Sequence, residues 1–211
     1  KRLADKYLSS IPMLSAAMSR LAFEKYSPKI SEVKRSLTQS HCAIGRNAYG
    51  ISDDKRIPFF MLTNLLGGPG MNSRLNLALR EKYGFVYSVD ASYHAYADTG
   101  LFAIFFGTEP TQLKRSIQLV KKELKQLREK LLGVGQLHTA KEQIMGQLAM
   151  AEENNTSLML MMGKSLLDLD RIDSLEEIFG RIKQTSAAEL REVANEMFHE
   201  DQLSLLTYIP N

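Results

Sequence analysis

Leu65-Leu66-Gly67-Gly68-Pro69-Gly70-Met71-Asn72-Ser73-Arg74-Leu75 runs on through Leu79-Arg80-Glu81-Lys82-Tyr83-Gly84-Phe85-Val86-Tyr87-Ser88-Val89. The stretch reads as a glycine loop, a short amphipathic helix, and a strand entered through a glycine. Asn72 or Ser73 supplies an N-cap side chain, and Gly84 can take the left-handed C′ conformation at little steric cost. Phe85, Tyr87, Val89, Ala91 and Tyr93 then alternate with Val86, Ser88, Asp90 and Ser92, the period of a strand. Arg80 falls in the last helical turn and Tyr87 follows seven residues later, so a cation and a phenol meet at one helix–strand junction. Local physics accounts for both without a ligand. An arginine in a last turn complements the helix dipole, and tyrosine is a good strand residue.

Downstream, Ala97-Asp98-Thr99-Gly100 makes a turn and Leu101 to Phe106 a second strand, which predicts an antiparallel hairpin. Upstream, residues 36–48 read as a strand. Ser52-Asp53-Asp54 offers caps for a helix carrying Ile57, Phe60, Met61, Asn64 and Leu65 at helical spacing, with Pro58 in its first turn and Gly67-Gly68 at its end. After Thr108-Glu109-Pro110, a long amphipathic helix is marked by Leu113, Ile117, Leu124, Leu127 and Leu131, and Gly133-Val134-Gly135 breaks it. Helices follow over about 137–153 and 157–169. Ser174 with Glu177 and Ser186 with Glu189 are capping boxes opening two more, and residues 203–209 close the chain as a strand. The order predicts an α+β domain, a mostly antiparallel sheet packed against a block of helices.

The first twelve residues place Leu3, Tyr7, Leu8 and Ile11 on one helical face, and Pro12 ends it. They read as the closing helix of a unit upstream, residues 13–33 as a linker, and 34–211 as the domain proper. The expectation is a fragment of a longer protein.

Composition narrows the function classes. With 211 residues, 44% hydrophobic and 24% charged, the chain is that of a globular protein. No apolar run approaches the roughly 20 residues of a membrane span. A net charge of +3 without a concentrated patch argues against nucleic acid. The single Cys42 excludes an intrachain disulfide and suits a reducing compartment, and its apolar run predicts a buried, inert thiol.

Gly68-Pro69-Gly70-Met71-Asn72-Ser73 approximates a dinucleotide fingerprint, with Asp90 twenty residues past Gly70. The preceding segment is helical, the third glycine is Ser73, and a hairpin follows Asp90, so the context of that fingerprint is missing. The four histidines, His41, His94, His138 and His199, are far apart and form no zinc-binding pair. His138 and Glu142 share a helix face but read as a solvated pair. Lys114, Arg115, Lys121, Lys122, Lys125, Arg128 and Lys130 read as the solvent side of one helix. Met145, Met150, Met159, Met161 and Met162 are expected to fill core.

From about Val33 to Ile209 the chain resembles the C-terminal half-domain of the pitrilysin-type zinc metallopeptidases, which include the mitochondrial processing peptidase. The likeness lies in residues 66–75 and 79–89 quoted above and in Asp98-Thr99-Gly100-Leu101-Phe102. Gln39 to Gly45, Leu137 to Gln143 and Gly146-Gln147-Leu148 add to it. The resemblance implies two similar α+β halves enclosing a peptide-sized chamber. Zn2+ would sit on an inverted His-x-x-Glu-His helix of the N-terminal half, and none would be bound by this chain. Arg80 and Tyr87 match the arginine and tyrosine that the C-terminal half presents to the substrate. Arg80 would donate to substrate carbonyls, Tyr87 to a carbonyl or the tetrahedral oxyanion, and Gly67, Gly68 and Gly70 would line the substrate path.

The expected function is therefore the substrate-binding half of a zinc-dependent endopeptidase, inactive alone. The first alternative is a non-catalytic scaffold half whose zinc-bearing partner is a separate chain. The second is a nucleotide-binding enzyme using the glycine loop. The implied partners are an N-terminal half-domain, in the same chain or a partner subunit, and a peptide substrate, with a homodimer left open and neither nucleic acid nor membrane. The compartment expected from the lone cysteine is the cytoplasm.

Overall fold

The computed structural model describes residues 2–12 and 23–211. Five strands form one sheet: β1 (Ile30–Arg35), β2 (Ser40–Ala48), β3 (Val86–Ala95), β4 (Gly100–Thr108) and β5 (Ser204–Pro210). Their order is β1-β5-β2-β4-β3, antiparallel throughout except for the parallel pair β1–β5. The hairpin predicted across Ala97–Gly100 is present, with Asp90 opposite Phe105 in antiparallel register. A nucleotide site at a parallel switch point therefore has no counterpart around Asp90.

One sheet face is covered. Cys42 and Ile44 of β2, Val89 and Ala91 of β3, and Phe102, Ile104 and Phe106 of β4 point into a continuous core. Helices α2 (Arg56–Gly67), α3 (Leu113–Glu129) and α7 (Ala187–Met197) supply the other side through Phe59, Leu62, Leu66, Val120, Leu124, Leu127, Val193 and Met197. At its centre Phe59 meets Tyr93, Phe102 and Phe198 at centroid separations of 4.7, 5.4 and 5.9 Å. Such contacts add roughly 0.5–1.5 kcal/mol each beyond area burial.

The remaining helices are α1 (Arg2–Leu8), α4 (Val134–Glu152), α5 (Asn155–Leu169) and α6 (Leu175–Gln184). None of the described helices is long and apolar enough to cross a membrane. Both predicted capping boxes form. Ser174 Oγ accepts from Glu177 N–H at 3.2 Å and Ser186 Oγ from Glu189 N–H at 3.1 Å, and each glutamate reaches back.

Two readings change. Residues 30–33, assigned to a linker, open β1, and its exposed pattern explains why periodicity missed it. Residues 13–22 of that linker lie outside the described residues. The methionines do not fill core as a group: Met145 is buried, whereas Met150, Met159, Met161 and Met162 are exposed. Side chains at helical spacing look alike whether the covering element is in the chain or absent from it.

Candidate functional site

The glycine loop leaves α2 where two backbones nearly touch. A Cβ on Gly67 would lie 2.7 Å from the Ala91 Cβ, and one on Gly68 would lie 2.7 Å from the Asn64 carbonyl. Both glycines are buried, so they let helix and strand approach. Gly70 lies nearer the surface, against Asn72 and Gln143, whose side chains hydrogen-bond at 2.9 Å. Asn72 and Gln143, with Asn64, Arg74, Leu77 and Thr139, border a cleft of about 350 Å3.

The short helix after the loop is predominantly a π-helix, Asn76–Glu81, with Lys82 N–H bonded to the Leu77 carbonyl at 3.0 Å. Its entry is fastened by Ser73, whose N–H donates to Gly70 O and whose Oγ accepts from Asn76 Nδ2. Leu75 and Leu79 are fully buried and fix the orientation of the turn. The exit is also tied down. Gly84 sits at φ +62°, its N–H donates to Arg80 O, and Phe85 N–H donates to Leu79 O. A side chain at Gly84 would pay the left-handed penalty, about 1–2 kcal/mol. Arg74 at the turn's start lies 3.8 Å from Glu123 of α3, both largely shielded from solvent. Burial pushes the Glu123 carboxyl above its ordinary range and lowers the Arg74 guanidinium, and the mutual attraction only partly offsets this.

Strand β3 then begins with a bulge. Val86 pairs with Thr108 and Val89 with Phe106, so one extra residue is accommodated between them. Val86 and Val89 both face the core, leaving Tyr87 and Ser88 successively exposed. Tyr87 is 87% exposed, and the Arg80 guanidinium carbon lies 5.8 Å from its ring centroid. The Arg80 side chain is partly exposed, with Nε 3.7 Å from a Glu81 carboxylate oxygen. The two expected site residues are therefore together, neither consumed by the core. The phenol hydroxyl can donate or accept a hydrogen bond and the guanidinium N–H groups can donate.

The site includes groups that sequence reasoning passed over. Arg74 and Glu123 brace the turn, and Asn72 with Gln143 closes the cleft. Arg74 lay inside the quoted motif, yet its ion pair spans α3 and no local pattern announces it. Among the described residues there is no group of three or more His, Cys, Asp or Glu that could hold a metal ion.

Residues 1–144 match the family model described as the peptidase M16 inactive domain. The chain belongs to that family. Among curated relatives, the protein named as zinc protease YmxG of Bacillus subtilis is 29% identical over 168 residues, covering 80% of this chain and 41% of the relative. A Streptomyces coelicolor protein also named as a zinc protease is 30% identical over 169 residues, covering 80% and 37%. The chain spans less than half the length of these relatives. In solved structures, the fold matches a protease from Helicobacter pylori at a TM-score of 0.88 and 17% identity, over 99% of this chain and 52% of that one. A peptidase M16 inactive domain from Pseudomonas fluorescens matches at 0.81 and 17%, over 92% and 47%. Nearly all of this chain thus shares its fold with about half of each of these structures, with the α+β architecture read from the sequence.

Proposed function

We propose that this chain is the substrate-gripping half of an M16 zinc endopeptidase, with Arg80 and Tyr87 as its contacts to the scissile region. The observation that carries the reading is the junction itself: a braced π-turn and a bulge present an arginine and a tyrosine side by side at the surface. The names of the curated relatives support a zinc protease as parent. Zinc would be held by an N-terminal half, supplied by the same polypeptide or a partner subunit, and would provide Lewis-acid activation of water there.

The work of this chain's residues follows from their donors. Arg80 offers guanidinium N–H groups in a rigid fork suited to peptide carbonyls and orients an extended peptide. Tyr87 O–H donates to the carbonyl oxygen undergoing attack, a bond that strengthens as negative charge develops there. Asn72 and Gln143 line the cleft beside the loop, while Gly67 and Gly68 serve the site by allowing close packing. The proposed compartment is the cytoplasm.

The test uses the intact parent enzyme, loaded with zinc, on a fluorogenic peptide. Tyr87→Phe removes one donor and nothing else. The expected outcome is a fall in kcat of about 10²–10³-fold with zinc content unchanged. Unaltered cleavage would remove Tyr87 from the chemistry. A parent that neither binds zinc nor cleaves peptide would favour the scaffold reading.

A further inference from the structure

Four cations of α3 gather on one side of the helix. Lys121, Lys125 and Arg128 follow at i, i+4 and i+7, a single ridge, and Lys122 flanks it. They line a cleft of about 200 Å3 between α3 and the turn that leads into β5, backed by the buried Leu124 and Phe198. Like charges three and four residues apart repel, so the ridge weakens the helix unless counter-charges answer it. Two carboxylates answer it in part. Glu200, on that turn, pairs with Lys121, and a Glu129 carboxylate oxygen lies 3.7 Å from Lys125 Nζ. Neither Lys122 nor Arg128 has an ion-pair partner among the described residues.

Arg128 identifies what is missing. Its Nε–H is shut off from solvent and meets no acceptor among the described residues. A buried donor on a charged group is costly to leave unpaired, and such an orphan points to an ion or ligand. Position in the last turn of α3 lets Arg128 complement the helix dipole, but that explains neither the orphaned N–H nor the three lysines beside it. Glu200 shows the chemistry the cleft accepts, an oxyanion already seated on Lys121. An occupant that answers the remaining cations must be anionic, rich in oxygen and small. Guanidinium takes phosphate oxygens on two parallel N–H groups, and lysine ammonium adds a point charge. Lys122 and Arg128 stand roughly 9 Å apart along the axis at 1.5 Å per residue, a span better bridged by two joined phosphoryl groups than by one. The cleft is too small for a nucleic-acid strand or a helix.

We propose that this cleft binds a diphosphate-type oxyanion on Lys122, Lys125 and Arg128, with Glu200 as a built-in competitor that occupies Lys121. The site is independent of Arg80 and Tyr87 and of the peptidase reading. A free diphosphate and the diphosphate of a nucleotide share this chemistry.

Isothermal titration calorimetry of the intact parent protein with pyrophosphate tests it, with circular dichroism to verify folding. The expected result is saturable binding that Arg128→Gln weakens at least tenfold and Lys122→Gln about threefold. Lys122 is exposed, so its replacement decides the matter if Arg128→Gln unfolds. Glu200→Gln releases Lys121 and should tighten binding severalfold. Glu176→Gln removes the same charge from the exposed surface of α6 and should leave it unchanged, as should Lys34→Gln on β1. Orthophosphate should bind at least tenfold more weakly than pyrophosphate. ADP binding as tightly as pyrophosphate would assign the site to a nucleotide's diphosphate, and weaker ADP binding to a free one. The proposal is overturned by an absence of saturable binding, by orthophosphate matching pyrophosphate, or by Glu200→Gln and Glu176→Gln acting alike. Binding indifferent to Arg128→Gln and Lys122→Gln, as for pyrophosphate held by a metal ion elsewhere in the parent, overturns it equally.

Discussion

Gly67 and Tyr87 came from one motif and resolve into different roles. Gly67 touches Ala91 so closely that a methyl group has no room, since it would meet both the Ala91 Cβ and its backbone N. Gly67→Ala should therefore cost about 1–3 kcal/mol of stability through overpacking, read as a lower denaturation midpoint at unchanged slope. Tyr87 is nearly free of neighbours, so Tyr87→Phe should leave that midpoint unmoved while it lowers activity. Comparing the two variants separates packing from chemistry within a single loop. Cys42, read as an inert thiol, lies in the core and is pushed up to about 12 by burial. The same apolar alternation that placed it in a strand makes it unreactive.

At the scale of elements, capping is local chemistry and behaves as such. Ser186→Ala removes the acceptor for Glu189 N–H at the start of α7, and should cost about 1 kcal/mol in thermal or denaturant unfolding. The brace beneath the candidate site is a longer-range matter. Arg74 and Glu123 come from different elements, and burial outweighs attraction on both. Removing one partner strands the other, so Arg74→Met should destabilise by about 1–3 kcal/mol. Replacing both, as Arg74→Met with Glu123→Leu, should return stability close to that of the native chain. A double-mutant cycle measures this. The sign of the pH effect is set by the raised Glu123 value. The folded chain holds that proton more tightly than the unfolded one. Its contribution is therefore present below the ordinary carboxylate range and is lost as pH rises through the raised value. Arg74→Met should widen that window.

Over the whole molecule, the sheet covered by helices on one face leaves two kinds of surface with different fates. The Arg80–Tyr87 junction exposes hydrogen-bonding side chains, whereas α5 exposes Leu and Met side chains. Much of this architecture was legible from residue order. The hairpin, both capping boxes, the left-handed Gly84 and the α+β class rest on contacts between residues close in sequence, where side-chain pattern and backbone preference act directly. β1 was missed because it is an edge strand with almost no buried side chain to impose a period. The methionines of α5 were misplaced for the converse reason, since apolar spacing reports that a face should be covered and is silent on whether its own chain covers it. The sequence alone determined the elements other than β1 and the seven-residue step from Arg80 to Tyr87. Tertiary structure decided that a π-turn and a bulge bring those two side chains together, that Gly67 and Gly68 serve packing, and that Arg74 is braced by Glu123. These outcomes depend on distances between segments far apart in the chain, which the folding of the whole sheet and helix layer sets and no local preference encodes.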